Sequence, residues 1–192
     1  MSADFPVALV FLLGAVVVPL LHGRLRTAWM LLLPVAAFAC LLTLPLGESG
    51  QVELLGQTLV LMRVDRLSLL FGYVFVLASL LNVIYALHLK DTMQHVAGLV
   101  YAGSSIGAVF AGDLMTLFIY WELTAVSSVL LIWAQRSDSS FRTGLRYVLV
   151  QLLSGMFLLA GALLHWRTTG SLAFGQIGLS APAGVLILIA FG

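Results

Sequence analysis

Charge is scarce in this chain. Only 9% of its 192 residues are charged and Lys90 is the single lysine, while 61% are hydrophobic and the mean hydropathy is +1.11. Soluble domains carry roughly 25% charged residues and about half apolar ones. The composition therefore excludes a water-soluble globule and makes lipid the solvent for much of the surface. A net charge of +1 with no basic run or arm offers no footing for nucleic acid. The single cysteine, Cys40, excludes an internal disulfide and leaves too few thiols for an iron–sulfur cluster or a thiolate zinc site. It reads as a packing residue. His22, His88, His95 and His165 are scattered, and the chain has no HExxH, CxxCH, P-loop or GxGxxG pattern. No metal, haem, nucleotide or redox cofactor is expected.

Secretory processing is not expected either. The first apolar run follows Asp4 rather than a basic segment, and the basic residues come after it. Phe5–Leu21 reads as a retained helix.

What the chain does have is long apolar runs. A spanning helix needs about 20 mostly apolar residues. Phe5–Leu21, Ala28–Leu46, Leu67–Leu87, Val96–Ala111, Leu114–Ala134 and Tyr147–Trp166 meet that need, and a seventh run begins near Ala183 and continues as GVLILIAFG. The expected fold is all-α: a polytopic transmembrane bundle of six complete spans plus the start of a seventh, and the chain reads as the front part of something longer. Lysine and arginine favour the cytoplasmic side. Arg24, Arg26, Lys90, Arg136, Arg142 and Arg146 follow the odd-numbered helices, against Arg63, Arg66 and Arg167 after the even-numbered ones, which places the N-terminus outside.

Residues 1–95 form a first unit of three helices, and 96–192 a second that holds the remaining runs. Gly47 to Arg66 is the one long polar connection. Val52, Leu54, Leu59 and Leu61 alternate around Gly56-Gln57, so an outer β-hairpin and an irregular loop stand as equal readings. Gly170 to Pro182 is a second loop, too polar to span.

Glu122 is the exception among the charges. It lies about 8 residues, or roughly 12 Å, into the fifth helix, close to the middle of a hydrocarbon core about 30 Å thick. An ionised acid there costs at least about 2.5–3.5 kcal/mol, so it must face a partner, a wet cavity or the bundle interior. Burial favours the neutral acid and a nearby cation favours the charged one. A group poised between the two can load and unload a proton, and that reading is preferred to a structural acid bonded to a neighbouring helix. Trp121, Thr124 and Ser128 share a face of this helix with Ser127 beside them, as helix glue or as proton relay. Tyr147, Gln151, Ser154 and Gly155 make a polar and small stripe on the sixth helix, which reads first as close packing and second as a wet path. Arg142 and Arg146 read as interfacial anchors, with a charge partner for a proton path as the alternative. Asp113, after Gly112, reads as a structural cap for the fifth helix, and Asp65-Arg66 as a similar signal for the third.

The stretch AGDLMTLFIYWELTAVSSVLLI, Ala111 to Ile132, closely resembles the signature of the proton-conducting antiporter-like membrane subunits. These include the large membrane-arm subunits of respiratory complex I, the Mrp-type cation/proton antiporter subunits and the membrane-bound hydrogenase subunits. The Asp-Leu-x-Thr-Leu turn followed by Trp-Glu-Leu and Ser-Ser is the specific part. RVDRLSLLFG resembles the family's approach to helix 3, and the Gln-x-x-Ser-Gly stripe resembles its helix-6 counterpart. The resemblance is convincing from Asp65 to Leu164. It implies that residues 96–192 begin a proton-conducting core, that Glu122 matches a helix-5 glutamate paired with a lysine on helix 7, and that this lysine would follow LILIAFG.

The resemblance also implies a multi-pass protein of a prokaryotic plasma membrane. Its partners would be lipid, other subunits of a multisubunit complex, protons and Na+, with any redox chemistry left to other subunits. The compact, short-looped form lies slightly nearer the Mrp and hydrogenase branch than complex I. The expected function is proton translocation through Glu122. A truncated, non-conducting membrane scaffold is the alternative, and an independent membrane enzyme is the weakest reading.

Overall fold

The computed structural model describes residues 6–54 and 57–192, so Asp4, Phe5 and Gly56 lie outside the described residues. The chain is a multi-pass helical membrane protein. Its elements are α1 (Val7–Val17, prolonged by a 3-10 turn Val18–Leu20), α2 (Gly23–Thr43), β1 (Gly47–Leu54), β2 (Gln57–Val64), α3 (Arg66–Ala86), α4 (Thr92–Val109), α5 (Leu114–Trp133), α6 (Asp138–Thr169) and α7 (Pro182–Phe191).

Short side chains with oxygen start most of these helices. The first backbone N–H groups of a helix lack internal partners, and a side-chain oxygen just before them can accept their bonds. Asp65 accepts from Ser68 N–H while the Ser68 hydroxyl accepts from Asp65 N–H, a reciprocal box at the start of α3. Asp91 accepts from Met93 N–H at α4, and Ser137 and Ser140 form a second box at α6. Gly170, in the left-handed region at φ 72°, ends α6.

α2, α3, α5 and α6 are each long and apolar enough to cross a membrane. α1 is 11 residues plus its three-residue turn, shorter than the full span expected of it. α4 has 18 residues but carries Gln94, His95, Ser104 and Ser105. It lies against α1, α3 and α5, and His95 and Ser104 are buried in those contacts. The polar residues of α4 are thus spent inside the bundle. Ser104 Oγ donates to the carbonyl of Val100 at 2.8 Å, and His95 Nε2 is 3.0 Å from the Leu89 carbonyl.

α1 to α4 share one apolar core with Met62 and Val64 of the hairpin, and Phe11, Leu41, Val76 and Ile106 stand at its centre. From α4 the chain continues side by side through α5 and α6 to α7. Pro34 interrupts the α2 ladder and is buried, a break that membrane bundles tolerate where neighbours cover the freed groups.

The polar connection after α2 is the hairpin, antiparallel with Gly47 opposite Val64 and Leu54 opposite Gln57. A two-stranded sheet therefore joins the expected all-α architecture. Its β2 strand lies on the turn between α4 and α5. Arg63 N–H donates to Phe110 O at 2.7 Å, and Gly112 N–H donates to Val60 O at 3.1 Å. Leu59, Met62 and Val64 are buried there, whereas Val52 on β1 is exposed.

Candidate functional site

Glu122 stands near the midpoint of α5 and points at α6. A Cβ added to Gly155 of α6 would overlap Glu122 Oε1 and lie 2.9 Å from its carboxyl carbon. Oε1 is fully shielded and has no hydrogen-bond partner among the described residues. A buried polar oxygen left unpaired costs roughly 1–3 kcal/mol, more if it is charged, so this atom is primed to hold a proton or to accept a bond.

Beyond the carboxyl a cavity of about 180 Å³ opens between the two helices. Val126, Val129 and Trp133 line it from α5, and Val148, Gln151 and Leu152 from α6. Glu122, Val126, Val129 and Trp133 follow i, i+4, i+7 and i+11, a single face of α5. Sequence reasoning misses Trp133 and Val148 as part of this site, although the helical spacing from Glu122 to Trp133 is there to be read.

Gln151 also borders a second cavity of about 420 Å³, lined by Phe75, Ser105, Val109, Trp121 and Thr124. That space shares Phe75 and Ser105 with a third of about 370 Å³, where Ser79, Asn82 and Tyr101 add polar groups. A hollow flank therefore runs along α3, α4 and α5, and Gln151 is the side chain that borders both it and the Glu122 cavity.

The neighbouring hydroxyls bond within α5. Ser127 Oγ and Ser128 Oγ donate to the Thr124 carbonyl at 2.9 and 2.8 Å, and Thr124 Oγ1 donates to Tyr120 O at 2.8 Å. None of these bonds reaches Glu122. Trp121 turns toward α7, its ring edge-on to Phe191 with centroids 5.0 Å apart, and its buried Nε1 has no acceptor among the described residues. Ser154 Oγ donates to Ala190 O at 2.7 Å, which fixes the rotation of α6 against α7.

Arg142 and Arg146 are exposed near the start of α6. Arg146 precedes Gly155 by nine residues, about 14 Å along the axis, so the structure does not bring it to Glu122. The ion pair found among the described residues is Arg136–Asp91, 3.0 Å, joining the α5–α6 turn to the start of α4.

Asp113 works at the other end of α5. Oδ1 accepts from Thr116 N–H at 2.7 Å, capping the helix, while Oδ2 accepts from Val60 N–H of the hairpin at 2.6 Å. Leu114 N–H donates to Leu172 O at 3.0 Å, so the loop after α6 meets the same point. The second bond, to a residue 53 positions away, leaves no mark in local sequence.

Residues 111–191 match the family model described as NADH:quinone oxidoreductase/Mrp antiporter, TM. A Na(+)/H(+) antiporter subunit of Alkalihalophilus pseudofirmus is 29% identical over 206 residues, which cover 91% of this chain and 25% of that protein. A chain of the Mrp complex from Dietzia sp. shares the fold with a TM-score of 0.82 and 23% identity, over 96% of this chain and 23% of its own length. A chain of respiratory complex I from Thermus thermophilus does so with a TM-score of 0.76 and 21% identity, over 96% of this chain and 42% of its own. This chain thus spans about a quarter of the antiporter relative's length and less than half of the complex I chain.

Proposed function

We propose, for a chain related through residues 111–191 to the NADH:quinone oxidoreductase/Mrp antiporter membrane proteins, that it forms part of a proton-translocating unit. That unit would belong to a multisubunit cation/proton antiporter, or to a complex I-like or hydrogenase complex, in a prokaryotic plasma membrane. Glu122 carries the proton. α1 to α6 cross the membrane with the hairpin on the outer side. Na+ is the counter-ion that the antiporter relative's name suggests.

The observation that carries the reading is Oε1 of Glu122, shielded and without a hydrogen-bond partner among the described residues, midway along a helix apolar enough to span. An acid kept there without a partner can hold its proton and can ionise where a cation comes near. The 180 Å³ cavity beside it is walled mostly by apolar side chains, with Gln151 as the polar group at its border. The chain's own cations do not serve: Arg142 and Arg146 are exposed and remote, and Lys90 lies in the turn between α3 and α4. Glu122 therefore takes its cation from outside the residues described. A non-conducting scaffold is the reading that this missing cation favours.

Replacing Glu122 by Gln separates the two. In membrane vesicles holding the assembled complex, E122Q should reduce pH-driven cation exchange to background while protein levels stay normal. Exchange at the wild-type rate in an assembled complex would leave the scaffold reading standing.

A further inference from the structure

The cost of an added methyl group on α6 draws attention to Gly155. It is buried, and its neighbour across the interface is the Glu122 carboxyl rather than an apolar side chain. Other close glycines meet other things: Gly161 faces Ile187 and the Ala183 carbonyl of α7, and Gly144 faces the Trp133 indole. At Gly155 alone among the described glycines is a titratable carboxyl the nearest neighbour.

We infer that Gly155 is the positioning residue of Glu122: by lacking a Cβ it leaves a slot in α6 that holds the carboxyl against the helix and turns its oxygens toward the Gln151 cavity. The inference builds on the reading of Glu122 as the proton-carrying group, but concerns where its carboxyl is held. Three features act together. The slot removes the atom of α6 that would push the carboxyl out. Ser154, the preceding residue, ties α6 to the Ala190 carbonyl, so the helix cannot rotate to present another side chain. One turn earlier, Gln151 borders both cavities and is the polar side chain that α6 contributes to the lining of the Glu122 cavity. No other titratable side chain lines that cavity.

An alanine at 155 should therefore displace the carboxyl, and a shorter acid should fit again. The Glu122 carboxyl can be followed in the full membrane complex as the infrared band that E122Q removes from an acid-minus-alkaline difference spectrum. G155A is expected to shift that band and to lower exchange at least tenfold. G155A with E122D, whose side chain is one methylene shorter, should recover a substantial part of the loss. G161A perturbs the packing of α6 on α7 and should leave the band where it is. An unshifted band in G155A, or no recovery with E122D, overturns the inference.

If G155A does not accumulate, G155A with E122A removes the overlapping carboxyl and should restore the protein. Failure to restore it places the damage in general helix packing and likewise overturns the inference. Wild-type exchange in E122Q would refute the proton-carrying role and leave the band test of the slot intact.

Discussion

At the scale of single residues, three carboxylates show how environment divides their work. Glu122 has no partner among the described residues, Asp113 has two backbone partners and Asp65 has a reciprocal one. Asp65 is exposed, and the Ser68 N–H holds its carboxyl below the usual carboxylate range, with help from the Ser68 hydroxyl, Leu67 N–H and nearby Arg63. A depressed acid stabilises the fold above its unfolded-state range and loses that contribution as pH falls through the lower folded value. The protection of Ser68 N–H, taken relative to its slower intrinsic exchange in acid, should therefore fall on acidification in the wild type. In D65N that acid-dependent step should be absent, and its persistence would show another group to be responsible. Asp113 offers a larger effect because it is buried. D113A removes a helix cap, worth roughly 0.5–2 kcal/mol, and strands Val60 N–H, at roughly 1–3 kcal/mol more. The solubilised protein should melt several degrees lower, as read by thermal unfolding.

Sequence is an uneven guide at this scale. The cap at Asp113 and the depth of Glu122 along α5 follow from position and chemical type. The Val60 bond and the Gly155 slot depend on segments brought together by folding, so local pattern registers their residues and not their partners.

At the scale of elements, α6 and the hairpin are the informative pieces. The apolar run Tyr147–Trp166 reads as a span, yet the helix begins nine residues earlier at Asp138 and has 32 residues. At 1.5 Å per residue that is about 48 Å, well beyond a core about 30 Å thick. Hydropathy marks the immersed part of a helix, whereas the Ser137–Ser140 box marks its true start. The overhanging turns carry Arg142 and Arg146, consistent with their exposure. With Cys40 replaced by Ala, a cysteine at Ser139 should react with a membrane-impermeant maleimide, and one at Leu153 should not. Equal labelling would deny the overhang.

The hairpin is ambiguous in sequence because its alternation covers only a few residues. Its docking settles its place: Gly112 brings the α4–α5 turn so close to Val60 that a Cβ would meet the Val60 carbonyl oxygen at 2.5 Å. G112A should cost roughly 1–3 kcal/mol through overpacking and loosen the hairpin, seen as faster exchange of Val60 N–H.

At the scale of the whole molecule, the polar contacts gather at two opposite ends. Arg26 to Thr92 and Arg136 to Asp91 tie the turns at one end, and the hairpin, the α4–α5 turn and the loop after α6 meet around Asp113 at the other. Between them lie the apolar flanks of α2, α3, α5 and α6, with His95 and Ser104 of α4 buried. Counting apolar runs suggests six similar spans because hydropathy sums composition and ignores which neighbours a helix has. α4 can carry His95 and Ser104 because both are buried against its neighbours α1, α3 and α5. The same two-ended arrangement leaves Glu122 at the α5–α6 contact, with no basic side chain among the described residues lining its cavity; the proton-carrying role proposed for it would then draw on the cavity at Gln151 and on a cation from outside those residues. The most direct measurement is the infrared band of the Glu122 carboxyl in the intact membrane complex, identified by its loss in E122Q and recorded across pH and in heavy water. The account predicts a band that titrates reversibly and shifts on deuteration; a band that neither titrates nor exchanges would contradict it.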